Sequence, residues 1–170
     1  MKKAQTPGQI FIYIIAIVVV GMIIAYGYSA IKSFGQKGEQ VEYITLKTGL
    51  ESSIKSISSD YGSIKRPDIN VPGKYGMVCF VDNDNYDPTS ALCEKRAGDE
   101  GKFFNPIACS GWENGRDNVY LIPDGTDSFD VGDIVISNEG NHFICLDVVN
   151  NRINLQLKGL GDKVEISQYE

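Results

Sequence analysis

Residues Ile10–Ile31 read IFIYIIAIVVVGMIIAYGYSAI, 22 residues without a charge, with Lys2 and Lys3 ahead of them and Lys32 directly behind. As a helix rising ~1.5 Å per residue the run covers ~33 Å, enough to cross the hydrocarbon layer of a bilayer. A secretory signal peptide has an apolar region of only ~7–15 residues and a small-residue cleavage site after it. Here the run is longer, and Tyr28-Ser29-Ala30 puts a bulky ring where a small residue is needed. The stretch is therefore expected to stay on the mature chain. The two leading lysines favour a cytoplasmic N-terminus, and Tyr26 and Tyr28 fall where aromatic rings prefer the outer interface. Lys32 and Lys37 weigh against that orientation, although Glu39 and Glu42 follow closely.

Gly21, Ala25 and Ser29 recur every four residues and so share one helix face. Rows of small residues let helix backbones approach closely, which is how apolar helices associate where lipid is as greasy as the partner. The row predicts self-association; its bland reading is that small residues are common in membrane helices. Beyond Phe34 the helical period continues. Tyr43, Leu46, Leu50, Ile54, Ile57 and Tyr61 form a one-sided apolar stripe opposite a wet face of Lys47, Glu51, Ser52, Lys55 and Ser56. One helix is expected from about Gln9 to about Ser59, bent near Gly35 and Gly38, with a membrane helix followed by a separate docking helix as the rival. Asp60-Tyr61-Gly62 supplies the stop, Gly62 taking a left-handed cap.

Lys3-Ala4-Gln5 before such a helix resembles the prepilin-type leader of archaeal type IV pilin-like and archaellin-like proteins. The resemblance spans roughly residues 1–60. It implies cleavage between Ala4 and Gln5 by a leader peptidase, a filament core built from the apolar helix, and an assembly machinery. Gln9 stands where bacterial pilins usually carry a Glu; an amide cannot neutralise a neighbouring N-terminal ammonium. The same opening also suits an uncleaved single-span protein.

From Arg66-Pro67-Asp68 the α region is disfavoured and the period becomes two. Strands are expected at Met77–Val81, Val119–Ile122, Asp133–Ser137, His142–Val149, Arg152–Leu157 and Val164–Ile166. Asn150-Asn151 marks a hairpin turn, since Asn tolerates positive φ. Residues 82–118 read as loop with one short helix near Ser90–Arg96. The fold class is thus α+β, a long N-terminal helix packed on a mostly antiparallel β head. Its parts are a leader (1–4), a transmembrane or filament-core helix (5–34), an amphipathic continuation (35–62) and an extracellular head (63–170).

The charge is divided as sharply as the hydropathy. Residues 1–34 hold three lysines and no acid, so a net charge of −6 for the chain leaves −9 on the remaining 136 residues. An acidic head argues against nucleic acid, whose phosphates need clustered Lys and Arg. Cys79, Cys93, Cys109 and Cys145 all follow the membrane stretch, and an even count after an export-type segment points to disulfides. Cys93 and Cys109 can close the loop region, worth ~3 kcal/mol by the chain-entropy account. Cys79 and Cys145 fall mid-strand, where they can face each other across neighbouring strands or sheets. Four cysteines admit three connectivities, and the sequence leaves them open.

No enzyme motif emerges. His142 is the only histidine, and no pattern marks a nucleophile beside it. Asp82, Asp84 and Asp87 form one acidic loop and Asp124, Asp127 and Asp130 another. These are the Ca²⁺ candidates, although the first loop departs twice from the EF-hand pattern and also reads as a solvated Asp/Asn turn. Trp112 is either an adhesive aromatic or a ring packed on a disulfide. No cofactor is expected. The expected partners are copies of the same chain through the N-terminal helix and, before assembly, the membrane. The expected place is the cell surface.

Overall fold

The computed structural model describes residues 7–95, 101–123, 127–137 and 140–169, with side chains at 7–9 and 32–37 left aside. The chain divides into two compact units, residues 1–41 and 42–170. Helix α1 (Pro7–Ser58) supplies all of the described first unit and opens the second. The helical assignment continues through Gly35 and Gly38.

In the second unit the α1 stripe meets two four-stranded sheets. One has the order β1 (Ile64–Lys65), β7 (Leu155–Gly159), β8 (Val164–Gln168), β5 (Ile134–Ile136); the other runs β4 (Ser128–Phe129), β3 (Val119–Ile122), β2 (Met77–Val81), β6 (Phe143–Asp147). All pairs are antiparallel except β5 with β8. Leu46, Leu50, Ile54 and Ile57 of α1 share one core with Val78 and Phe80 of β2, Leu146 of β6, Leu155 and Leu157 of β7, and Val164 and Ile166 of β8. Side chains alternate along a strand, so the opposite parity of the second sheet points elsewhere. Met77, Cys79, Val81, Tyr120 and Phe143 build a second core with Leu92, Ala108 and Trp112. That is why β2 is buried along its whole length while β7 and β8 bury only alternate residues.

Several expectations are corrected. The short helix is α2 (Pro106–Glu113), not Ser90–Arg96, of which residues 90–95 form turns. Its start was written in Asn105-Pro106: the Asn105 side chain accepts from the Ile107 and Ala108 amides, and Pro occupies a first-turn site that needs no donor. Tyr61 leaves the stripe because α1 stops at Ser58, and its side chain is exposed. Two strands of two residues, β1 and β4, carry too little pattern to be read from sequence. Asn150 and Asn151 do form a two-residue turn at φ 52° and 60°, closed by reciprocal Val149–Arg152 hydrogen bonds. The strands it joins then part, β6 into one sheet and β7 into the other. Gly62 adopts φ 77°, beyond the helix end rather than as its immediate cap.

The helix end is fastened by the β7–β8 corner. The Gly161 amide donates to the Ser58 carbonyl at 3.0 Å, the Gly62 amide to Gly159 O at 2.8 Å, and the Gly159 amide to Ser63 O at 2.9 Å. The first of these bonds satisfies one of the carbonyls that a helix C-terminus leaves without an intrahelical partner, and the other two tie the chain just beyond the helix to β7.

Candidate functional site: an exposed apolar helix

Within α1, residues Ile10–Ile31 have a mean hydropathy of 2.7 and no burial. Sixteen large apolar side chains between Ile10 and Ile31 are exposed, from Val19 at 47% to Tyr26 at 83%. Fully burying one such side chain is worth ~1.5–3 kcal/mol, so leaving this set in water costs on the order of tens of kcal/mol. A whole domain is stable by only ~5–15 kcal/mol. This surface therefore demands lipid or protein around it. The apolar character goes right round the helix, as expected of a segment surrounded on all sides. Eleven of the 22 residues are Ile or Val, whose branched Cβ gives only modest helix preference in water. In hydrocarbon every backbone amide must be satisfied within the segment, and the helix does that.

The small-residue row lies on this surface. A Cβ built at Gly21 or Gly27 meets nothing within 4 Å. Nothing in the described chain fills that strip, so any constraint on its size would come from another molecule. Gln9 belongs to the first turn of α1, its side chain outside the described set. Lys3, Ala4 and Gln5 lie outside the described residues.

The other candidate residues are placed within the head. Cys79 pairs with Cys145 and Cys93 with Cys109. The first bridge joins directly opposite residues of β2 and β6 with Cα atoms 4.0 Å apart, the closer of the two antiparallel spacings. Asp82 is buried; its carboxylate accepts from the Asp84 amide at 3.0 Å and the Asn85 side chain at 2.9 Å. Asp84 receives Lys163 at 2.5 Å, and Asp87 receives the Thr89 amide and hydroxyl. Asp82 and Asp87 thus serve the loop's own donors, and Asp84 a lysine 79 residues away in sequence. Asp130 accepts from the Gly132 amide at 3.3 Å, and Asp124 lies outside the described residues. Among the described residues no group of three or more His, Cys, Asp or Glu is arranged to hold a metal. His142 is half-buried just before β6, and its carbonyl accepts from the Asp82 amide at 2.8 Å. Trp112 is buried, its indole donating to Asp82 O at 2.7 Å and its ring edge-on to Tyr86. That placement overturns the adhesive reading of Trp112.

Sequence reading did not bring together Tyr43, Lys74, Tyr75 and Asp127. Tyr75 donates a very short hydrogen bond to Asp127, Lys74 reaches the same carboxylate at 3.2 Å, and Tyr43 donates to Ser128 O at 3.0 Å. Burial, then the bond to Asp127, pushes the Tyr75 hydroxyl up to about 12. The Tyr75 hydrogen bond and then Lys74 hold the Asp127 carboxyl below its usual value. Both shifts keep the phenol neutral and the carboxylate charged, which suits a clamp on β4 better than a reacting group. Only distance in sequence hid it; no local signal links residues 75 and 127.

The chain matches no protein family, no curated protein and no solved structure. The exposed helix and the oxidised head must therefore carry the functional reading on their own physics.

Proposed function

We propose that this protein is a structural subunit of a pilus-like cell-surface filament, held together through its N-terminal apolar helix. The observation that carries this reading is the fully exposed Ile10–Ile31 surface with an open small-residue strip at Gly21, Ala25 and Ser29. A helix too apolar for water is stable in lipid or among copies of itself. Assembly exchanges the first burial for the second, with no covalent chemistry at the interface. The acidic head, bridged by two disulfides, suits an oxidising exterior. In this reading the leader ends at Ala4, and the machinery that removes it and extrudes the subunit acts from the membrane.

A second reading rests on the same helix. One span of 22 residues is also a sufficient anchor, which would make the protein a single-pass tether for an extracellular binding head. Electron microscopy of material sheared from cells separates the two. Filaments labelled by an antibody to the head support assembly; label confined to membranes refutes it. Mass spectrometry of the mature N-terminus tests the leader: a chain beginning at Gln5 supports processing, and one retaining Met1 refutes it.

A further inference from the structure

The two cores of the head differ in how they are closed. The core between the sheets is built mainly from regular elements, α1, β2, β3, β6, β7 and β8, with Ile69, Val71, Tyr75, Val131 and Ile153 added from the connecting chain. The second core lies on the far face of the β4-β3-β2-β6 sheet. It is covered by turns carrying Leu92 and by the eight-residue α2 carrying Ala108 and Trp112. Irregular chain has few cooperative backbone bonds of its own, and such regions open at lower free energy than sheet cores. The cover is held to the rest of the head, beside its apolar contacts, by the Asp82 amide on His142 O at 2.8 Å, the Asn105 side chain on Pro123 O at 3.1 Å, and the exposed ion pairs Lys163–Asp84 and Lys102–Asp147. Its own two parts are joined by the Trp112 indole on Asp82 O and the Asn105 amide on Leu92 O at 3.0 Å. The Cys93–Cys109 bridge lies wholly within the cover, 16 residues apart in sequence.

We infer that residues 82–95 and 101–113 form a cover that opens as a unit when the Cys93–Cys109 disulfide is reduced, leaving the core between the sheets closed. The chemistry is thiol–disulfide exchange with a small dithiol. Its thiolate attacks one sulfur, its second thiol resolves the mixed disulfide, and the products are two cysteine thiols and an oxidised cyclic dithiol. Access does not distinguish the two bridges, since Cys93 and Cys109 are half-buried and Cys145 lines an open groove of ≈ 400 Å³. What distinguishes them is what remains after each opens. Cys79 and Cys145 stay opposed by five consecutive β2–β6 residue pairs, so their thiols keep a high effective concentration and the bond re-forms. Cys93 and Cys109 are held only by the cover itself. Releasing that closed loop lowers the ratio of closed to open cover by about 100-fold on the chain-entropy account. Opening would bare Leu92, Trp112 and Phe143, an apolar face hidden in the oxidised protein.

The test uses the full chain in detergent micelles and does not depend on whether filaments form. With dithiothreitol and a thiol-alkylating probe, Cys93 and Cys109 should be labelled before Cys79 and Cys145; simultaneous or reversed labelling overturns the proposal. In the C93A/C109A variant, hydrogen exchange at 106–113 should quicken by about 100-fold while exchange at 155–168 is unchanged. Equal acceleration in both segments, or none at 106–113, refutes a separable cover. Trp112 is the only tryptophan, so fluorescence quenching by acrylamide reads the same opening in the wild-type protein. Quenching should rise on reduction, and unchanged quenching after Cys93 and Cys109 are labelled contradicts the inference.

Discussion

Replacing Gly159 with alanine tests the junction on which the head is built. Gly159 has an ordinary φ, so its backbone would accept a side chain. At such a site Gly→Ala ordinarily stabilises by ~0.4–1 kcal/mol, because the unfolded chain loses freedom. Here the added Cβ would overlap the carbonyl oxygens of Ile57 and Asp60. Both are backbone atoms, one in the last turn of α1 and one just beyond it, and cannot swing aside as a side chain can. Forcing atoms into a filled site costs ~1–3 kcal/mol. The displacement also strains the Gly62–Gly159, Gly159–Ser63 and Gly161–Ser58 hydrogen bonds, each worth ~1 kcal/mol net. The expected loss is about 3–5 kcal/mol, or about 10–20 °C in Tm at ~4 °C per kcal/mol. Urea denaturation of the full chain in detergent, followed by circular dichroism, measures it. Gly76 is the control, with an ordinary φ and nothing within 4 Å of its Cβ position; Gly76→Ala should be neutral or slightly stabilising. A Gly159→Ala protein as stable as the Gly76→Ala protein would refute the close approach of β7 to the helix end.

Four further outcomes are expected. Gly21→Leu meets no atom of its own chain, so it should leave head stability unchanged and weaken self-association in micelles; unchanged association in a cross-linking assay removes the small-residue interface. Because the Asp127 carboxyl is depressed in the folded state, its contribution is present above the ordinary carboxylate value of ~4 and is lost as pH falls below it. Tyr75→Phe should therefore lower the urea midpoint at pH 7 and make less difference at pH 2–3; a difference independent of pH argues against the clamp. The same Tyr75 hydroxyl, raised to about 12, predicts that the wild-type head loses stability as pH climbs from ~10 towards 12, and that Tyr75→Phe loses less. Asn105→Ala removes the side chain that accepts from two α2 amides and donates to Pro123 O; it should cost ~1–2 kcal/mol and quicken hydrogen exchange at 106–113. Unchanged exchange there would show that the cap is idle.

What could be read from the chain and what could not divide by the range of the interaction. The stripe Leu46, Leu50, Ile54 and Ile57 was visible because a helix repeats every 3.6 residues, and all four are buried. Most strands were visible for the same reason at period two. Asn105-Pro106 held a cap signal that went unread beneath the Asp, Asn and Gly of its surroundings. Tyr61 was misplaced because the stripe says which face is apolar but not where the helix stops. Helix termination depends on the Gly159–Gly161 corner, about a hundred residues further on. The distant donors that reach the acidic loops leave no local signal in the sequence. Lys163 on Asp84 and Tyr75 on Asp127 come from distant parts of the chain.

By itself the sequence determined that this protein carries a helix that must leave water, and that an acidic, cysteine-bearing β head follows it. Hydropathy and periodicity are local sums, and no distant residue can cancel 22 uncharged positions in a row. Only the tertiary structure decided that the Asn150-Asn151 turn parts its strands into two sheets. It also decided that Trp112 is interior, that Cys79 faces Cys145, and that a glycine on β7 touches the end of α1. Each of these is a meeting of segments far apart along the chain. Such meetings are selected by shared burial and close packing, which no stretch of sequence encodes alone.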